Sequence, residues 1–79
     1  MKREIFRLLI ALADHKNLPK TADSIIKLYD CDAAKSDLIN NTLSSFLKAW
    51  EECEYWVSYN VLSEYTEKIY NIISWKNNI

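Results

Sequence analysis

The sequence predicts an all-α fold: a small compact bundle of three or four helices in a single domain, residues 1–79. The chain has no glycine and one proline, so it lacks the residue that tight hairpin turns mostly require. Hydrophobic residues make up 49% of its 79 residues, which is too apolar for a disordered chain. Apolar residues also recur at helical spacing along most of the sequence. These three observations favour a few helices joined by short polar loops.

The first helix is predicted over residues 3–15. Its apolar residues keep the spacing of one helix face. They are Ile5, Phe6, Leu8, Leu9, Ile10, Leu12 and Ala13. The basic start of the chain imitates a secretory signal, but Arg7 leaves an apolar run of about six residues, which is shorter than such a signal needs. A buried amphipathic helix is therefore the better interpretation.

Residues 20–30 are predicted to form the second helix. Pro19 removes a backbone N–H and biases Leu18 away from helical geometry, and Thr21 is suited to cap the helix start. An alternative start places Pro19 in the first turn, with the helix beginning at Leu18. The residues expected to be buried are Ala22, Ile25, Ile26, Leu28 and Tyr29.

The third helix, predicted over residues 34–57 with Asp32 or Ser36 as its cap, carries the strongest pattern. Its apolar residues recur in steps of four and three, as at the a and d positions of bundled helices. They are Ile39, Leu43, Phe46, Trp50, Cys53 and Val57. A seam shorter than three heptads indicates one helix of a bundle rather than an isolated coiled coil.

Residues 60–76 are predicted to form the fourth helix, capped by Ser58 or Asn60. No glycine or proline separates it from the third helix, so one continuous helix of about 40 residues is the alternative. We favour a break, because a four-element bundle buries both apolar stripes within one chain. A continuous helix would instead predict a homodimer, so both a monomer and a homodimer stay open.

The charge of the chain is unevenly distributed, although its net value is only -1. Residues 1–29 carry six basic and three acidic side chains, a net charge of +3. Residues 30–67 carry two basic and eight acidic side chains, a net charge of -6. The acidic half also holds most of the large aromatic residues. Such an asymmetry bears on partners and association rates rather than on the fold.

A partner-binding surface is predicted in this acidic, aromatic half. Its glutamates and tyrosines fall on neighbouring helix faces near the end of the third helix. Exposed aromatic residues ringed by carboxylates are typical of interface hot spots. The predicted contact residues are Glu51, Glu52, Glu54, Tyr55, Tyr59, Asp30 and Asp32. The competing interpretation is a solvated acidic stripe whose aromatic side chains are partly in the core.

The sequence accordingly predicts a small non-enzymatic protein-binding module, in its most concrete form an inhibitor, immunity protein or antitoxin. Its partner would be a basic protein, such as a nuclease or a nucleic-acid-binding protein. A structural homo-oligomer built on the seam from Ile39 to Val57 is one alternative. No contact with a membrane is expected, because no apolar run approaches the length of a membrane span.

A second alternative is a helix-turn-helix-like transcriptional regulator that binds DNA through the second and third helices. Asn40 and Asn41 would then read adenine, with Lys35 as the supporting cation. Direct nucleic-acid binding is not expected, because residues 21–47 carry a net charge of -2 and phosphate contact needs cations.

No catalytic, cofactor or metal site is expected. His15 is the one histidine, and a lone histidine at a helix end usually complements the helix dipole. His15, Cys31 and Cys53 lack the paired spacing of a zinc site. We expect a cytoplasmic protein with reduced thiols. The redox state of the two cysteines stays open, since in a secreted domain they would be able to pair.

Overall fold

The computed structural model describes residues 2–53 and 58–74, and these residues form four helices. They are α1 (Lys2–His15), α2 (Leu18–Leu28), α3 (Ala33–Glu52) and α4 (Tyr59–Ser74). No strand occurs within those two ranges. The predicted all-α bundle is therefore confirmed.

The helices are arranged as a ring in chain order. Each helix packs against its neighbours in the sequence, and α4 closes the ring through an extensive contact with α1. A smaller contact joins α1 to α3 across the centre, whereas the described parts of α2 and α4 do not touch. The core lies between α1 and the α3–α4 pair. Its buried members are Ile5, Leu9, Leu12, Ala13, Ala22, Ile25, Ile39, Leu43, Phe46 and Ile69.

Helices α3 and α4 run antiparallel, which confirms the predicted break between them. The Phe46 ring meets the Tyr65 ring edge-on at 5.4 Å between centroids. Nearer the other end of the pair, the Lys35 ammonium donates a hydrogen bond of 3.1 Å to the Ile73 carbonyl. Residues so far apart in sequence meet only if the chain reverses. The single long helix and the homodimer that it implied are therefore ruled out.

The start of α2 corrects the sequence prediction. The helix begins at Leu18 rather than at residue 20, with Asn17 as its cap and Pro19 in its first turn. The Asn17 side chain accepts a hydrogen bond of 3.2 Å from the Lys20 backbone N–H, which satisfies one of the amides that a helix start leaves unpaired. The predicted cap, Thr21, is instead a buried residue inside the helix.

The starts of α3 and α4 follow two of the predicted caps. Asp32 accepts a hydrogen bond of 2.9 Å from the Lys35 N–H, and Ser58 accepts one of 3.3 Å from the Val61 N–H. Helix α3 ends at Glu52, earlier than the predicted residue 57, because Cys53 leaves helical geometry and caps the last turn. The remainder of that prediction, residues 54–57, lies outside the described residues, as do the last two residues of the predicted fourth helix.

Three apolar residues that were predicted to face the core lie at the surface. Ile10 is 40% exposed and Leu28 is 57% exposed, and Cys53 is also exposed. Leu28 and Cys53 occupy the last position of a helix and the cap that follows it. Neighbouring helices do not extend over these ends, so the helical periodicity no longer implies burial there.

Two residues other than glycine adopt left-handed backbone geometry. Lys16 has φ 54° and Asp30 has φ 51°, directly after the ends of α1 and α2. At the second of these ends, the Cys31 N–H donates 3.0 Å to the Ile26 carbonyl, as in the helix-terminating motif that usually employs glycine. A chain without glycine therefore carries some backbone strain at both ends.

We expect Lys16→Gly to be more stable than Lys16→Ala by about 1 kcal/mol, because glycine adopts a positive φ without a Cβ clash. Comparison with alanine removes the contribution of the lysine side chain from the difference. Urea unfolding of the two variants measures it. Equal stabilities would mean that the Lys16 backbone is not strained.

Candidate functional site

The structure divides the predicted acidic surface between two ends of α3. Asp30 and Asp32 precede the first residue of α3, whereas Glu51 and Glu52 are in its last turn. A helix of 20 residues is about 30 Å long. The two pairs of carboxylates are therefore too far apart to form one compact patch.

The two aspartates have local structural roles at their end of the bundle. Asp30 is the left-handed residue that terminates α2, and Asp32 caps α3. Aspartate is suited to both positions, because its short polar side chain tolerates left-handed geometry and pairs with helix N–H groups. Local folding thus accounts for both residues without a partner.

We expect Asp32→Ala to lower the free energy of unfolding by about 1 kcal/mol, because the Lys35 N–H loses its side-chain acceptor. Asp32→Asn keeps the acceptor while removing the charge, so its stability should match that of the wild type. Thermal unfolding followed by circular dichroism separates the two variants. If Asn destabilised as much as Ala, the charge rather than the cap would be responsible.

At the opposite end of α3, Glu51 and Glu52 are exposed and lie beside the helix C-terminus. Within the described ranges, neither carboxylate forms an ion pair; the described pairs are Arg7–Glu4 at 3.9 Å and Lys68–Glu64 at 3.5 Å. No basic residue occurs in the last turn of α3. The carboxylates therefore add to the negative end of the helix dipole, an arrangement that is unfavourable for the helix itself.

Tyr59 lies at the same end of the molecule. Phe46 and Tyr65 face each other across the antiparallel pair, and the same register, continued for six residues on each helix, places Glu52 level with Tyr59. Tyr59 is 72% exposed, the most exposed large hydrophobic residue among those described. We call Glu51, Glu52 and Tyr59 the acidic end. The other two predicted contacts, Glu54 and Tyr55, fall in the gap between α3 and α4 and lie outside the described residues.

A cleft beside Tyr59 was not predicted from the sequence. The Tyr59 ring packs on the Phe6 ring of α1, with centroids 5.7 Å apart and planes tilted by 50°. Together with Arg3, Ser63 and Glu67 these rings line a cleft of about 360 Å³. It forms where α1 packs against α4, and no pattern within either helix shows which residues will meet. The cleft gives the acidic end a recess beside a protruding aromatic ring.

The residues proposed for DNA reading have other contacts in the structure. The Lys35 ammonium is bonded to the Ile73 carbonyl at the end of α4, and the Asn40 amide donates 2.9 Å to the Ser36 carbonyl. Asp37 is exposed on the same part of α3, where it would repel phosphate. The first turns of α3 therefore offer little support for the regulator hypothesis.

The seam proposed for homo-oligomer formation is largely used within the chain. Ile39, Leu43 and Phe46 are fully buried, and Trp50 packs against the same core. Side chains already enclosed by α1 and α4 are not available to a second copy. The last seam residue, Val57, lies outside the described residues.

The two cysteines cannot pair within one chain. Cys31 and Cys53 lie just before and just after α3, whereas a disulfide needs Cα atoms within about 7 Å. Burial raises the pKa of the Cys31 thiol; Lys35 opposes the shift, and Asp32 and Asp30 add to it. A raised pKa favours the protonated thiol, which is the less nucleophilic form. Within the described part of the chain, no group of three or more His, Cys, Asp or Glu residues is arranged to hold a metal ion.

Comparison with known proteins leaves the chain without a relative: no family model, no curated protein and no solved structure matches it. Over residues 2–53 and 58–74, none of the helices has the length and apolar character needed to cross a membrane.

Proposed function

We propose that this chain is a small protein-binding module that uses the acidic end, Glu51, Glu52 and Tyr59, to dock on a basic partner protein. One observation carries the proposal. Two exposed carboxylates without an ion pair within the described ranges stand at a helix C-terminus, level with an exposed aromatic ring. This arrangement brings no benefit to α3, but it suits the capture of a positively charged surface.

The roles of the two kinds of side chain are complementary. The carboxylates and the negative helix end raise the rate of encounter with a basic surface. Tyr59 supplies a large rigid contact at a low cost in side-chain entropy, as anchoring tyrosines do in many interfaces. The cleft between Tyr59 and Arg3 provides a place for a side chain of the partner. Asp30 and Asp32 are left out of this surface, because they lie at the other end of α3.

An inhibitor of the immunity or antitoxin kind is the most concrete form of the proposal. Such a protein acts by covering a basic functional surface on its target, for example that of a nuclease or a nucleic-acid-binding protein. A chain of this size has enough surface for that task without any catalytic group. The proposal also places the protein in the cytoplasm, where its thiols stay reduced.

Capture experiments with three tagged baits test the proposal. They are the wild type, the double variant Glu51→Lys/Glu52→Lys and the double variant Asp23→Lys/Asp37→Lys. Both variants change the net charge by the same amount, but Asp23 and Asp37 are exposed positions away from the acidic end. We expect the wild type and the Asp23/Asp37 variant to retain one stoichiometric basic protein from the native host.

The Glu51/Glu52 variant should lose that protein while staying folded, because lysines at a helix C-terminus favour the helix dipole. Loss from both variants alike would show that only the net charge matters. Retention by the Glu51/Glu52 variant would overturn the proposal.

A further inference from the structure

A second cleft lies between α1 and α2, far along the chain from the acidic end. Its α1 wall consists of Leu8, Ala11 and His15, and its α2 side includes Lys20 and Thr21. We call it the α1–α2 cleft. Its volume of about 380 Å³ falls within the range of roughly 300–1,000 Å³ that is usual for small-molecule sites.

Thr21 is the residue that points to a ligand. Its side chain is only 6% exposed, yet within the described structure its hydroxyl makes no hydrogen bond. Thr42 and Thr66 each donate to the carbonyl four residues earlier, at 2.8 Å and 2.7 Å. The equivalent carbonyl of Asn17 instead accepts from the Thr21 backbone N–H. A hydroxyl that is buried, unused and on the wall of a cleft has a donor available for a bound molecule.

The cleft is graded from polar to apolar. Only two residues connect α1 and α2, so the helices are antiparallel neighbours. His15 and Lys20 are therefore near the connecting loop, whereas Ala11 and Leu8 are one and two turns further along α1. None of the described residues that line the cleft is acidic. One end consequently offers a positive charge and N–H donors, and the other offers apolar surface.

We propose that the α1–α2 cleft binds a small aliphatic carboxylate. The carboxylate would accept hydrogen bonds from Lys20, His15 and the Thr21 hydroxyl, and the hydrocarbon tail would cover Ala11 and Leu8. The dipoles of α1 and α2 oppose each other at the loop end, so these side chains determine the preference for an anion. The site does not depend on the acidic end or on its partner.

Backbone amide shifts during titration with hexanoate test this site. We expect saturable shifts confined to residues 8–24, with a dissociation constant on the order of 1 mM for so small a ligand. Hexan-1-ol, which has the same tail without the charge, should bind at least about tenfold more weakly. N-acetylleucine presents the carboxylate that ends a protein chain. Tighter binding of N-acetylleucine than of hexanoate would overturn the assignment to a free aliphatic acid.

Three variants locate the contacts. Lys20→Gln and Thr21→Val should each weaken hexanoate binding by about fivefold or more, since each removes one hydrogen bond to the carboxylate. Lys27→Gln removes an exposed cation of α2 that does not line the cleft, so it should bind like the wild type. Equal losses in Lys20→Gln and Lys27→Gln, equal binding of hexan-1-ol, or no saturable shift would each overturn the proposal.

Discussion

Replacing Phe46 with alanine is expected to lower the free energy of unfolding by about 3–5 kcal/mol, the usual cost of emptying a buried aromatic site. Phe46 is fully buried, and its ring contacts the edge of Tyr65 on α4. A domain of 79 residues has a total stability of roughly 4–12 kcal/mol. The variant should therefore be partly unfolded at room temperature. Urea unfolding followed by circular dichroism measures the loss.

Leu38→Ala is the matched control on the same helix. Leu38 is 43% exposed, so shortening it removes little buried surface, and the expected loss is below about 1 kcal/mol. Similar losses in both variants would mean that Phe46 is not at the centre of the core.

Tyr59→Ala is expected to weaken the complex with the basic partner by about thirtyfold or more, which corresponds to the loss of an interface hot spot. The ring is 72% exposed, so its removal costs the fold only its contact with Phe6. Tyr59→Phe keeps the ring and should retain most of the affinity. Calorimetric titration with the purified partner measures both variants.

Leu38→Ala again serves as the control, since it shortens an exposed apolar residue nearer the other end of α3. If Tyr59→Ala and Leu38→Ala bound equally well, Tyr59 would not be an anchor. The carboxylates alone would then have to account for binding.

Helical periodicity predicted the fold because the same residues that define each apolar face also form the core. Ile39, Leu43 and Phe46 were predicted from their spacing, and all three are fully buried. Caps were predictable where one side chain decides, as at Asp32 and Ser58. The start of α2 was misplaced because Asn17 and Thr21 are both suitable caps. Only the position of Pro19 in the first turn distinguishes between them.

The candidate site was less predictable, because it depends on which helices meet. Sequence proximity grouped Asp30 and Asp32 with the glutamates of α3, although a whole helix separates the two pairs. The contact of Phe6 with Tyr59 joins residues more than 50 positions apart. The bond from Lys35 to the Ile73 carbonyl spans 38 positions. No spacing rule reaches over such separations, so both clefts and the internal use of Lys35 required the structure.

The salt dependence of the association rate tests the central claim most directly. Stopped-flow mixing with the purified partner would be measured for the wild type and for Glu51→Lys/Glu52→Lys, from low to high ionic strength. We predict that the wild-type rate constant falls by about tenfold or more as salt screens the acidic end. The variant should associate slowly at low salt and respond little to added salt. A wild-type rate that is insensitive to salt, or a variant that associates as fast as the wild type, would contradict the account.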